Sequence, residues 1–357
     1  MRADAEGFLR PSVDTSKCVN CGACERACPV LREHAAGEAR AVYAAKATDD
    51  ALRLVCSSGA VFPLVARQVL SEGGVVFGAR WADARTVVHG KAEDESALRE
   101  LLGSKYLQSV MGNAYADCRA ELRNGRKVLF TGTPCQIAGL KGFLGGDDDN
   151  LVTLQVICHA VPSPRVWRRY VDLCERRHGI CVREANFRDK AHGWKMYDYT
   201  LNGGAVRENW ILNPYALAFL TELCNRPSCA DCRARGLKSG ADLTVGDFWF
   251  VWDMLPEMDD DKGTSVVIVQ TEKGGRLLEA VRPSLVLRET DYAAALRGNP
   301  SLEKDGALHP RRKEFLERVE TTEDFGALVT EFVGKDPLKL RHLADKDWRD
   351  GSDGGQG

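Results

Sequence analysis

Apolar positions along the chain change their period after about residue 50. Residues 1–35 show no sustained period and read as a short, loop-rich module. Beyond residue 50, helical and strand patterns alternate. "VFPLVARQVLSEGG" places apolar residues at helical spacing and stops at Gly73-Gly74, and "ESALRELLG" and "VMGNAYADCRAELRNG" likewise end at glycines. "VVFGARW" and "TVVHGKA" read as strands. The clearest unit spans 126–178. There "KVLFTG" predicts a buried strand, "TPCQIAGLKGFLG" a helix, "GDDDN" a turn, "LVTLQVICH" a second strand and "SPRVWRRYVDLCERRHG" a second helix. This β-α-β-α order predicts parallel pairing with a right-handed crossover. Residues 180–290 mix strands with a helix at about 213–224. Residues 291–357 are expected to be a helical and partly disordered tail ending in the polar "RDGSDGGQG". The fold class expected is α/β, mixed α+β. A small ferredoxin-like half-module over 1–35 precedes an α/β core with a partly parallel sheet, divided into regions 50–120 and 125–290.

Composition narrows the function classes. With 44% hydrophobic residues, the 357-residue chain can bury a core, and a net charge of -2 gives no reason to expect nucleic acid. No apolar run approaches the roughly 18 residues of a membrane span. "MRADAEGFLR" has no apolar signal region, so a cytoplasmic enzyme is expected. Thirteen cysteines alter that picture. In a reducing compartment, clustered cysteines read as metal ligands before disulfides. Cys118, Cys174 and Cys181 have no partner at ligand spacing and are expected to be small core residues, Cys181 at the start of a strand.

"KCVNCGACERACPV" holds Cys18, Cys21, Cys24 and Cys28, followed by Pro29. This is the C-x2-C-x2-C-x3-C-P run of bacterial ferredoxins, a specific signature of a [4Fe-4S] cluster. In two-cluster ferredoxins the fourth cysteine ligates the other cluster, and this chain has no second such run.

A second site is assembled from separate places. Thr133 suits a helix N-cap, Pro134 the first helical position, and Gln136 a capping box. Cys135 then falls in the first turn, where the helix dipole stabilises a thiolate. Cys158 closes the next parallel strand. Both belong at the carboxyl edge of one sheet, where open α/β folds place their ligands. "CNRPSCADC" supplies Cys229 and Cys232 at C-x2-C spacing. Cys224 is expected to face inward, though its exchange with Cys158 stays open. The plainer reading of Cys229 and Cys232 is a structural zinc pair; the ferredoxin run in the same chain favours a second iron–sulfur cluster.

"CSSGAVFPLVARQVLSEGGVVFGA", "GSKYLQS", "VLFTGTPCQIAGLKGFL", "VICHAVPSP", "FRDKAHGW", "RPSCADC", "ADLTVGDFWF" and "KGTSVVIVQTEKG" follow one another in order. Together they resemble the coenzyme F420 hydrogenase/dehydrogenase beta-subunit family, in its bacterial branch with a fused N-terminal 4Fe-4S ferredoxin-type module. The resemblance covers about residues 6–290. It implies FAD, a [4Fe-4S] cluster beside it, and electron exchange with a deazaflavin such as coenzyme F420 or another acceptor. The family's cluster cysteines match Cys135, Cys158, Cys229 and Cys232. Three family glycines are replaced, by Ala60, Ala160 and Phe250, where backbone would approach a cofactor. Flavin contacts are expected from Ser57, Ser58 and Gly59 ahead of a helix, from Ser104 and Lys105, and from Asp247 at a strand end. Arg188, Asp189 and Lys190 are candidates for an acidic substrate or the flavin. Each has a plainer reading as a helix cap, a solvated charge or a turn residue, and His159 as a structural histidine. No residue is assigned as catalytic.

"DAEGFLRP" resembles the segment that joins the two ferredoxin halves in the fused family, so the chain reads as starting inside that module. Three closures are open: a cysteine run upstream of Met1, a half supplied by a partner protein, or one cluster closed by Cys28 or Cys56. The first is preferred, because half a ferredoxin leaves its β-ribbon and Cys28 without a partner. The function expected is an iron–sulfur flavoprotein oxidoreductase, working with an electron-donor or acceptor protein and a small-molecule acceptor, with membership of a larger complex left open. The alternatives are a non-catalytic electron-transfer subunit without flavin and a zinc-stabilised scaffold.

Overall fold

The runs "KVLFTG" and "LVTLQVIC" lie side by side in the middle of one mixed sheet. The computed structural model describes residues 1–32 and 34–334, so "RDGSDGGQG" lies outside the described residues. In spatial order the nine strands are Leu285–Thr290, Ala41–Ala47, Ser265–Val269, Leu243–Asp247, Leu151–Val156, Val128–Gly132, Val75–Asp83, Thr86–Ala92 and Ser109–Val110. The three pairings that join Leu243–Asp247, Leu151–Val156, Val128–Gly132 and Val75–Asp83 are parallel. Those between Leu285–Thr290, Ala41–Ala47, Ser265–Val269 and Leu243–Asp247 are antiparallel. The α/β class and the partly parallel sheet are borne out.

Strand runs that are apolar without alternation are buried on both faces. Leu129, Val152 and Leu154 meet Val65, Val69, Leu277 and Leu278 of helices Val61–Ser71 and Glu272–Val281. On the opposite face Val128, Phe130 and Leu151 meet Cys118, Ile137 and Leu140 of helices Ala114–Arg123 and Pro134–Leu144. A further core forms where helix Pro164–His178 packs on a three-stranded antiparallel sheet of Ala185–Asp189, Asp198–Leu201 and Val206–Asn209. Helices Arg312–Arg318 and Phe325–Val333 add Phe315, Leu328 and Phe332 to that core. The described part of the C-terminal stretch is therefore packed helix. No helix of the described residues is long and apolar enough to cross a membrane.

Residues 1–10 fasten to the body. Arg2–Ala3 pairs antiparallel with Leu9–Arg10, Phe8 is wholly buried, and the Leu9 amide donates to Gln108 Oε1 at 2.7 Å. Arg312 Nη1 donates to Glu6 Oε1 at 2.9 Å. The cysteine run that follows stays at the surface, with Cys18, Cys21 and Cys24 exposed and Cys28 half-buried.

Two cysteine expectations need correction. Cys118 and Cys174 are buried as expected, but Cys181 is exposed and the strand starts only at Ala185. Its neighbours in "GICVRE" are mixed in polarity, and Val182 alone turns inward. Cys56 is not placed to serve the N-terminal run. It is buried with Ala47, Leu52 and Ala60, beside strand Ala41–Ala47. The N-terminal run instead packs on helix Pro134–Leu144, with the Ala27 carbonyl against Gly142.

The replaced glycines also acquire a physical reason. Ala60 and Phe250 each hold φ at 63°, in the left-handed region, as the N-caps of helices Val61–Ser71 and Val251–Met254. The left-handed backbone by itself favours glycine at both positions. Ala60→Gly is expected to raise stability by up to about 1 kcal/mol, read as a higher thermal unfolding midpoint.

Candidate functional site

Parallel pairing brings the carboxyl ends of Leu243–Asp247, Leu151–Val156 and Val128–Gly132 together along one edge. Cys135 follows the last of these, Cys158 follows the second, and Asp247 ends the first. The Cys135 turn is built as its sequence suggests. Thr133 is the N-cap, Pro134 opens the helix, and the Thr133 amide donates to Gln136 Oε1 at 2.9 Å. Thr133 Oγ1 lies 3.2 Å from Cys135 Sγ. The other thiols arrive on a loop tied back to Cys158. Pro162 bridges Asn225, and the Arg226 amide donates to Val161 O at 2.8 Å.

The four thiols sense one another electrostatically. Burial pushes Cys158 well up, and charge on Cys229, Cys135 or Cys232 adds to the rise, while Arg235 opposes it. Burial, then Cys135, pushes Cys229 up to about 12. Cys232 is raised for the same two reasons. Cys224 is fully buried, while the charged groups acting on Cys158 are Cys229, Cys135, Cys232 and Arg235. A metal centre on these thiols has to displace their protons, because cysteine ligates as the thiolate. The soft donor set fits an iron–sulfur cluster or zinc. Among the described residues no three His, Cys, Asp or Glu side chains close onto a single metal ion. His159, next to Cys158, lies 3.0 Å from Glu222 Oε1 and edge-on to Phe219.

Arg235 was not singled out from the sequence. Its guanidinium, 7% exposed, donates to the carbonyls of Cys158, His159 and Cys229. "CADCRARG" offers two arginines, and only burial separates the inward Arg235 from the exposed Arg233.

The residues expected to touch a flavin also converge on this edge. Ser57 Oγ accepts from the Ser104 amide at 2.8 Å and from Ser104 Oγ at 2.9 Å, joining "SSG" to "GSKY". Ser58 Oγ donates to Thr264 O. Gly59 donates its amide to Ser265 Oγ at 2.9 Å, and a Cβ there would collide with Ala45 O. Only glycine lets the loop cross strand Ala41–Ala47 so closely. Lys105 Nζ donates to the carbonyls of Glu100, Leu102 and Gly103, closing the end of helix Glu95–Leu101. Lys190 Nζ donates to the carbonyls of Arg53, Ser58 and Lys262. Burial brings both lysines down to about 7.

Arg188 stands at the centre. It pairs with both oxygens of Asp247 at 2.6 and 2.9 Å, and donates to Ser57 O at 3.0 Å and Tyr106 Oη at 3.3 Å. The Tyr197 ring lies 4.1 Å from its guanidinium carbon and the Trp249 ring 5.5 Å. Trp194 Nε1 also donates to Asp247 at 2.8 Å, and Trp194 stacks on Trp249. Asp189 turns away to pair with Arg207. Neither Lys105 nor Lys190 pairs with a carboxylate among the described residues, and Arg188 Nε is buried without a partner. The buried Lys190, the half-buried Lys105 and an orphaned guanidinium donor are compatible with an anionic group such as the diphosphate of FAD.

A family model for the C-terminal part of the coenzyme F420 hydrogenase/dehydrogenase beta subunit matches residues 125–294, and a 4Fe-4S binding domain model matches residues 11–31. No curated protein matches the chain. Among solved structures, a chain of the xenon-derivatised F420-reducing [NiFe] hydrogenase complex from Methanosarcina barkeri is similar in fold. The TM-score is 0.50 at 16% identity, over 81% of this chain and 94% of that one. Residues 125–294 thus match the C-terminal domain of the coenzyme F420 hydrogenase/dehydrogenase beta subunit, and residues 11–31 match a 4Fe-4S binding domain.

Proposed function

We propose that this protein is an iron–sulfur flavoprotein oxidoreductase. It passes electrons between a ferredoxin-type cluster on the N-terminal run, an inner [4Fe-4S] cluster on Cys135, Cys158, Cys229 and Cys232, and FAD beside Ser57, Ser104, Lys105 and Asp247. The observation that carries this reading is the shared carboxyl edge of three adjacent parallel strands, where Asp247 ends one strand and Cys158 and Cys135 follow the other two. FAD bound there would supply the exchange between single electrons and hydride. The chain's own residues supply charge: Arg188 holds Asp247 in place, and Lys105 and Lys190 offer two ammonium groups near the Ser57–Ser104 junction. The acceptor proposed is a deazaflavin such as coenzyme F420 or another small molecule. By analogy with the similar hydrogenase chain, the protein works as a subunit of a larger complex.

A specific observation favours a second reading, an electron-transfer subunit without flavin. Ser58 Oγ, the Gly59 amide and Lys105 Nζ all donate within the protein. Absorption spectra of anaerobically prepared protein, with iron, sulfide and released flavin counted, separate the two. Flavin bands with a broad iron–sulfur shoulder support the first reading, and the shoulder alone supports the second. A colourless, zinc-containing protein defeats both.

The N-terminal run packs on the helix whose first turn carries Cys135. A Cβ on Gly142 would fall 2.7 Å from the Ala27 carbonyl oxygen, so helix Ala23–Ala27 sits on helix Pro134–Leu144. Seven residues separate Cys135 from Gly142, about 10 Å along the axis. Gly142→Val is expected to push the short helix away and slow electron transfer between the clusters at least several-fold, while iron content stays constant. Rapid-mixing absorbance with dithionite, alongside iron analysis, checks this.

A further inference from the structure

The family match ends at residue 294, yet the segment after it reaches back into the thiol site. Leu302 O accepts from the Gly236 amide at 2.7 Å, and Ser301 O accepts from Arg235 Nη1 at 2.6 Å. Asp305 Oδ1 accepts from Arg235 Nε at 2.8 Å and from the Cys232 amide at 3.2 Å. The same guanidinium holds Cys158 O at 3.2 Å, His159 O at 3.2 Å and Cys229 O at 3.4 Å. One Arg–Asp pair thus touches the backbone of three of the four cysteines.

We propose that Arg235 and Asp305 form a charged latch: two positioning residues that hold Cys158, Cys229 and Cys232 at cluster-binding spacing and set the reduction potential of the inner cluster. The proposal rests on the reading of the four thiols as an iron–sulfur site. Its physical basis is charge. Burying a guanidinium is costly unless its charge is answered. Asp305 answers it only in part, since its side chain is 39% exposed and meets one nitrogen. The Nη donors face the carbonyls of His159 and Ser301 and those of Cys158 and Cys229, whose sulfurs turn anionic on loading with metal. A fixed positive charge there favours the loaded state, and within it the reduced state, which carries one more negative charge. Cluster potentials follow net charge and hydrogen bonding in this way. The latch is completed from outside the matched family domain, so residues beyond 294 belong to the redox centre of this chain.

The test uses the full-length, anaerobically reconstituted protein. Potentials are read by electron paramagnetic resonance during redox titration, and iron retention by chelator competition. Arg235→Gln is expected to move the inner-cluster potential downward and to weaken iron retention roughly 10-fold, the usual cost of losing an outer-shell partner. Asp305→Asn removes the opposing charge and is expected to move the potential upward. Arg235→Lys keeps the charge without the fork, so it should retain a near-native potential while losing iron faster. Opposite signs for the Gln and Asn variants are what simple loosening of the fold cannot produce. Potentials that stay put, or that move in the same direction, overturn the latch while leaving the cluster reading intact. If Arg235→Gln does not fold, the sign of the Asp305→Asn shift decides. A wild-type protein with no inner-cluster signal overturns the cluster reading and the latch together.

Discussion

Cys135→Ser is expected to remove the inner cluster, about four iron atoms per chain for a [4Fe-4S] centre, and to leave the N-terminal iron in place. The serine fits the same turn, because Thr133, Pro134 and Gln136 build the helix start without using the sulfur as a packing element. What is lost is one of the four thiols that share the Cys158 environment. Iron and sulfide analysis with electron paramagnetic resonance should show one set of signals gone and one retained. Unchanged iron would remove Cys135 from the ligand set.

The next largest effect is expected at Asp247. Its carboxylate is the counter-charge of Arg188, whose side chain is 2% exposed. Asp247→Ala leaves that guanidinium buried and unpaired, and should destabilise the protein by about 3–5 kcal/mol. The loss would also free Trp194 Nε1, so tryptophan fluorescence during urea unfolding is a suitable reporter. Arg188→Met combined with Asp247→Leu should recover much of the loss, because removing both charges also removes their desolvation cost. A single substitution that left the unfolding midpoint unmoved would show that the pair is not what ties Ser57, Tyr106 and the Asp247 strand together.

The sequence was most informative where one local pattern determined one local structure. The Thr133–Gln136 turn, the glycine stops and the doubly apolar strands follow from capping chemistry and burial. The parallel neighbours Val128–Gly132 and Leu151–Val156 followed from their order. Strand Ala41–Ala47 was not anticipated: "AVYAAKA" is alanine-rich, and only its place between two other strands makes it a strand. Convergence was the harder part. Nothing in "FRDKAHGW" or "VGDFW" states that Arg188 and Asp247 meet across 59 positions. Likewise, nothing in "CRAR" points to Asp305, 70 positions further on. Such pairs depend on the path of the whole chain.

The place of Ala41–Ala47 in the sheet has a consequence for synthesis. Its partners are Ser265–Val269 and Leu285–Thr290, so a strand made early waits for strands made more than 200 residues later. At roughly 5–20 residues per second the ribosome needs on the order of 10–45 seconds to deliver them. For most of that interval the exposed Cys18, Cys21 and Cys24 are already made, while Cys229, Cys232 and Asp305 are not. On the function proposed above, the two sets of thiols therefore become available for metal loading at different times. The N-terminal set can be served on the nascent chain, and the inner set only after the sheet has closed.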